Sequence, residues 1–177
     1  MSRTMSLRGS FEIADNAFMA DHELFRYEAN DLTKGWEVVG AYIWPTTTRA
    51  SIGAAAGQFQ AVASLATDTG NRGVADTICT AADNRQIAWI QSGFQMRNSA
   101  VSDFLANSGN SPNPAAFVID PEHIIANGLW LNFGTTSDST TSPTREWSYM
   151  IILKTKKLDP KETILHLIKN VAQDIVN

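Results

Sequence analysis

The sequence predicts an all-β, antiparallel β-sandwich of about eight strands followed by one C-terminal amphipathic helix. Three observations carry this. Short apolar bursts rich in aromatic and β-branched residues recur along the chain, separated by turn chemistry built from Ser, Thr, Asn, Gly and Pro. Only 18% of residues are charged, against roughly 25% in an average globular domain, so 16 Thr, 14 Ser and 12 Asn must supply much of the polar surface. Strong helical periodicity is confined to the end of the chain. The pattern divides the protein into a flexible arm over 1–10, a sandwich over 11–157 and a helix over 158–177.

The first ten residues are small and polar, with Arg3 and Arg8 and no apolar run of the kind a signal peptide needs. They read as an arm. Strands are expected near 10–18 and 23–28. The clearest strand is Gly35 to Trp44, closed by Pro45. Strict alternation would put Trp36, Val38, Tyr42 and Trp44 on one face and Val39, Ala41 and Ile43 on the other. A strand apolar on both faces belongs inside a sandwich or at a contact between subunits.

Gln58 to Thr67 is Ala-rich text that suits either helix or strand, and its Gly and Thr flanks favour strand. Arg85 to Phe94 alternates Ile87 and Trp89 against Ala88 and Ile90, after the turn-like Ala82-Asp83-Asn84. A further strand is expected over 114–119. Asn127-Gly128 is the strongest two-residue hairpin signal, and it would join His123-Ile124-Ile125 to Leu129–Phe133. Trp147 to Leu153 forms the last strand. The stretches 107–114 and 134–144 read as surface loops, the second as a long hairpin tip between the last two strands. Asp159 can cap a helix with Pro160 at its first position and Glu162 three residues after the cap. Ile164, Leu167, Ile168, Val171 and Ile175 then recur at helical spacing. So wide an apolar face needs a partner, since an isolated helix of this length is marginal in water.

The 177 residues suit one domain. Cys79 is the single cysteine, which excludes a disulfide scaffold and fits a reducing compartment. No run reaches the length of a membrane span, because Gln58 and Gln60 interrupt the nearest one. Residues 1–153 carry nine Lys/Arg against fifteen Asp/Glu, and residues 154–177 five Lys against three acids. The body is acidic and the C-terminal piece mildly basic.

Chemistry-bearing patterns are sparse. His22, His123 and His166 form no HxH or HExxH pair, and Cys79 has no identifiable base beside it. Neither GxSxG, GxGxxG nor GxxxxGK[ST] occurs. No catalytic residue, cofactor or metal site is therefore expected, and the protein is read as a non-enzyme. Five tryptophans (Trp36, Trp44, Trp89, Trp130 and Trp147) all lie in apolar strand text, which favours core or interface packing over an exposed sugar-stacking platform.

The arginine-bearing arm, the series of short strands and the Ser/Thr/Asn-rich loops resemble small viral coat proteins of the single jelly-roll kind. Ala82 to Trp89 (ADNRQIAW) and the stretch from Asp120-Pro121-Glu122-His123 through Trp147-Ser148-Tyr149-Met150 to the capped helix are similar to virion proteins of environmental phages. The resemblance implies a jelly-roll-like sandwich and a structural virion protein that assembles in the host cytoplasm with identical copies of itself and other virion proteins. Trp36, Trp44, Trp147, Ile164, Ile168, Val171 and Ile175 are the expected interface residues. Arg3 and Arg8 are the candidate contacts to nucleic acid or a neighbour. Many such shells carry a strongly basic arm, and with two arginines here nucleic-acid contact is expected to be weak or absent. Two other readings remain open: a ligand- or carbohydrate-binding sandwich, such as a phage receptor-binding or decoration domain, and an enzyme on a jelly-roll barrel.

Overall fold

The computed structural model describes residues 2–27, 33–46, 58–69, 79–80, 82–97, 104–107, 115–137, 144–159, and positions 161, 162, 164, 165 and 168. Among these, ten strand elements form two antiparallel sheets. The first sheet contains β1 (Thr4–Ala14), β10 (Thr144–Lys157), β3 (Lys34–Pro45) and β7 (Ala115–Ala116), in that order. The second contains β2 (Phe18–Arg26), β9 (Gly128–Ser137), β4 (Gln58–Ala66), β5 (Gln86–Arg97) and β6 (Phe104–Asn107), with β8 (Val118–Ile119) also pairing β5. Leaving aside the short β6 and β8, every connection except β4 to β5 passes from one sheet to the other. That crossing pattern is the jelly-roll arrangement of a sandwich.

The expected arm is mostly strand. β1 pairs with β10 from Thr4↔Lys154 to Ala14↔Thr144 without a break. Small polar text hid an alternation: Met5, Leu7, Phe11 and Ile13 pack on or in the core, while Thr4, Ser6, Arg8, Ser10 and Glu12 are exposed. Gly9 sits under a large neighbour, and a Cβ there would stand 2.6 Å from Tyr149 Cζ.

β3 departs from strict alternation for a local reason. Its register with β10 shifts between Ile152 and Leu153, so Val39 is an extra residue between the pairs Leu153↔Val38 and Ile152↔Gly40. The bulge turns the side-chain sequence over. Val38, Ala41 and Ile43 face the core at 3%, 1% and 1% exposure, and Tyr42 and Trp44 lie on the outer face opposite Met150 and Ser148. Trp36 and Trp44 therefore do not share a face.

Three connections also differ from expectation. Asn127-Gly128 does not make a hairpin. Ile125 exchanges backbone hydrogen bonds with Trp36 in the first sheet (2.8 and 3.1 Å), while β9 continues into the second sheet beside β2. β9 and β10 do not pair either, because one lies in each sheet. The segment 115–119 splits at Phe117, whose amide donates to Ala41 O at 3.0 Å; β7 joins β3, and β8 joins β5.

The core lies between the sheets around Phe11, Phe133 and Trp147. The Phe11 and Phe133 ring centroids are 5.0 Å apart and those of Phe133 and Trp147 4.8 Å apart. At one end Asp15 receives Arg145 in a two-pronged ion pair, Nε to Oδ1 at 2.7 Å and Nη2 to Oδ2 at 2.9 Å. At the other, Trp36 stands edge-on to Phe25 and Tyr27, joining β3 to the second sheet.

Beyond Asp159 the described residues are few. Asp159 Oδ1 accepts from the Lys161 amide at 3.2 Å, and Glu162 Oε2 accepts from the Asp159 amide at 3.2 Å. Asp159 thus caps the second helical amide, and Glu162 reaches back to the cap's own amide as in a capping box. Most of the helix expected over 160–176 lies outside the described residues.

Candidate functional site

His123 shows how the bulge is held. The Val38 amide donates to His123 Nε2 at 2.7 Å, so Nδ1 carries the proton and donates it to the Asp120 carbonyl. Burial pushes the His123 pKa below its usual 6.5, with Lys156 acting in the same direction; the Asp120 carbonyl and the charges of Asp120 and Glu37 oppose the shift. The unfolded chain thus takes up this proton near pH 6.5, while the folded protein takes it up only at lower pH. Stability is full above pH 6.5 and falls as the pH drops below it, by at most about 1.4 kcal/mol per pH unit. His123→Gln offers a carbonyl acceptor that does not titrate. The stability difference between native protein and this variant, measured by urea unfolding from pH 7.5 to 5, should therefore narrow or reverse as the pH falls.

The other chemistry-bearing side chains are occupied structurally. His22 packs against the Phe11 ring with centroids 5.8 Å apart. Cys79 Sγ donates to Ala63 O and Ile90 O at 3.3 and 3.6 Å, and burial pushes its thiol pKa up, away from thiolate chemistry. His166 lies outside the described residues.

The two sheets present different outer faces. On the second sheet, Ser64, Ala66 and Asn132 are fully buried, and Gln86 and Trp130 are nearly so. Thr80 and Trp89 converge on one of these side chains: the Thr80 amide donates to Gln86 Oε1 at 2.9 Å, and Trp89 Nε1 donates to the same oxygen at 2.8 Å. On the first sheet the middle of the outer face is apolar, with Tyr42, Trp44, Met150 and Ile152 half-buried and Val39 47% exposed. Its β1 border is polar, with Ser6, Arg8, Ser10 and Glu12 exposed.

The expected interface residues separate on this basis. Trp44 belongs to the outer face of the first sheet. Ile164 and Ile168 are each 59% exposed, and Leu165 between them is 68% exposed. Trp147 is a correction: it is fully buried against Phe133 and offers a neighbour no surface. It falls on the inner face because it shares parity with Ile151 and Leu153, both buried. Trp36 faces Phe25 and Tyr27 at the sandwich end rather than the outer face. Val171 and Ile175 lie outside the described residues.

Arg3 and Arg8, treated alike in the sequence, part company. Arg8 is exposed on the outer face opposite Met150. Arg3 lies at the end of the first sheet beside a groove of about 690 Å³, which it lines with Ser2, Thr155, Trp36 and three lysines, Lys34, Lys156 and Lys157. Sequence reading missed this cluster because it sought a run of like charges. The one signal was that Lys34 stands alone ahead of a lysine-bearing C-terminal segment.

No protein-family model matches the chain, and no curated protein matches it.

Proposed function

We propose that the protein is a structural virion subunit that assembles with copies of itself into a shell. The observation that supports this reading is the unequal treatment of apolar surface. One sheet buries the middle of its outer face within the subunit, at Ser64, Ala66, Trp130 and Asn132, with Val118 of β8 its exposed apolar exception, whereas the other leaves Val39, Tyr42, Trp44, Met150 and Ile152 on its outer face, and Ile164, Leu165 and Ile168 stand exposed after the last strand. Exposed apolar patches on a folded domain mark contact surfaces, and repeated contacts between identical subunits close into symmetric assemblies. The low charged fraction of 18% limits repulsion between crowded copies. In this reading the protein resides in the virion, acts without catalysis, and has other virion proteins as further partners.

Sedimentation velocity with negative-stain imaging tests the proposal. The native chain should form large regular particles at micromolar concentration. Ile164→Asp with Ile168→Asp should leave 19.3 kDa subunits with unchanged far-UV circular dichroism. A native chain that stays a monomer in every buffer tried refutes the shell reading. Assembly by the double variant with native efficiency refutes the C-terminal contact.

A further inference from the structure

The groove at the end of the first sheet has a composition unlike the rest of the molecule. The chain carries a net charge of −4, yet among the described residues the groove is lined by one arginine and three lysines and by no carboxylate. These cations come from the start of β1, the start of β3 and the end of β10, so only the fold brings them together.

Their arrangement is regular. Arg3, Thr155 and Trp36 form one row across three neighbouring strands: the Thr155 amide donates to Arg3 O at 2.8 Å, and Thr155 is the register partner of Trp36. Two residues further along, Lys157 is the register partner of Lys34. Neighbouring strands lie about 4.8 Å apart, and two residues along a strand advance about 6.7 Å. The cationic positions are thus spread along a path rather than gathered around a point. Arg3 is also held in place, because its amide donates to Thr155 Oγ1 at 2.8 Å in addition to the carbonyl contact.

Trp36 gives the groove an aromatic wall. Its ring is fixed edge-on to Phe25 and Tyr27, at interplanar angles of 78° and 85°. A row of cations alone suits any polyanion. A row of cations beside a braced tryptophan suits a chain that carries both phosphates and flat bases, since sites for single strands pair a positive groove with aromatic stacking surfaces. In a duplex the bases are already stacked and paired, so they would leave Trp36 unused.

We infer that this groove binds the phosphodiester backbone of single-stranded nucleic acid through Arg3, Lys34, Lys156 and Lys157, with a base against Trp36. The inference runs against the expectation drawn from the two arginines of the N-terminal segment. It stands independently of shell assembly.

Fluorescence anisotropy of a labelled twelve-residue oligo-dT with the full chain tests it. Light scattering in parallel allows binding to be read on dispersed and assembled protein alike. The affinity should fall with salt with a log–log slope of about −3, as expected for about four neutralised phosphates on a single strand. Lys156→Glu with Lys157→Glu should weaken binding at least about 100-fold at low salt and flatten the slope, since half of the cations are reversed. Trp36→Leu should weaken it about 5- to 150-fold, the range for loss of one stacked base, and Trp36→Phe should restore most of it. Arg3→Gln, at an exposed position whose two backbone bonds to Thr155 are kept, provides a charge variant outside the core and should also reduce the slope. Circular dichroism confirms the fold of each. Three results overturn the inference: no binding by native protein at low salt, native affinity in the lysine double variant, or equal binding of inorganic polyphosphate or heparin that is insensitive to Trp36→Leu. The last would assign the groove to a simple polyanion.

Discussion

Replacing Asp15 by Asn is expected to lower the unfolding free energy by about 3–5 kcal/mol, the usual consequence of removing one partner of a buried ion pair. Asp15 is 3% exposed and Arg145 9% exposed. Their two contacts at 2.7 and 2.9 Å satisfy both carboxylate oxygens. Asn keeps the shape but deletes the charge, leaving the Arg145 guanidinium buried without this carboxylate. The site is also tightly built. Asn16 turns the chain with φ of 60°, and Thr135 clamps both sides, its hydroxyl to Ala14 O at 3.2 Å and its amide to Ala17 O at 3.0 Å. A domain's whole stability is about 5–15 kcal/mol, so the loss would be a large part of it. The measurement is the urea midpoint at constant m-value. A second variant sharpens the result: Asp15→Asn with Arg145→Met removes both charges and should recover a substantial part of the loss, because an apolar replacement of both partners is often nearly neutral. A loss below about 1 kcal/mol for Asp15→Asn would mean the pair behaves as a solvated surface contact.

The sandwich was legible because its strands state their composition openly. Gly35–Trp44, Arg85–Phe94, Leu129–Phe133 and Trp147–Leu153 all became strands, and even the Ala-rich Gln58–Thr67 became β4. Its flanking Gly and Thr outweighed Ala, and between neighbours β9 and β5 small side chains such as Ala61 and Ala63 pack closely. β1 was legible only in part. Its alternating partners Met5 and Leu7 are separated by Ser6 and followed by Arg8 and Gly9, a pattern that local composition assigns to an arm. Its pairing with β10 depends on partners between 130 residues (Ala14↔Thr144) and 150 residues (Thr4↔Lys154) away.

Pairing was less legible than strand identity. Asn127-Gly128 carries a strong local hairpin signal, yet Ile125 bonds across to Trp36 and so joins the opposite sheet. Local turn preference specifies that the chain can reverse, not which strand receives it. The Val39 bulge was likewise silent, since its effect arises from the register with Ile152 and Leu153 and from His123, 85 residues on, accepting the Val38 amide. The basic groove joins positions 3, 34, 156 and 157. Charge runs are a one-dimensional signal, and this cluster is made by strand order alone.

The sharpest distinction between core and contact surface lies in two tryptophans that the sequence placed together. Trp147→Ala should cost the subunit about 3–5 kcal/mol, the range for removing a buried aromatic side chain and leaving a cavity. Trp147 has no exposure, lies 4.8 Å from the Phe133 ring, and is the register partner of Phe11. Movement of Phe11 or Phe133 into the space would disturb their edge contact at 5.0 Å. Trp44→Ala should cost less than about 1.5 kcal/mol, because Trp44 is only half-buried on an outer face and truncation there opens no enclosed cavity. If that face meets a neighbour, the ranking reverses when assembly is measured. Trp44→Ala should raise the concentration needed for particles several-fold at nearly native stability, as expected for an aromatic side chain in a contact. Trp147→Ala should affect assembly only through the fraction unfolded, so added osmolyte should restore it. Denaturant unfolding and light scattering on the same two variants separate the effects. Equal losses of stability in both would place Trp44 in the core, and unaltered assembly in Trp44→Ala would remove the outer face of the first sheet from the contact.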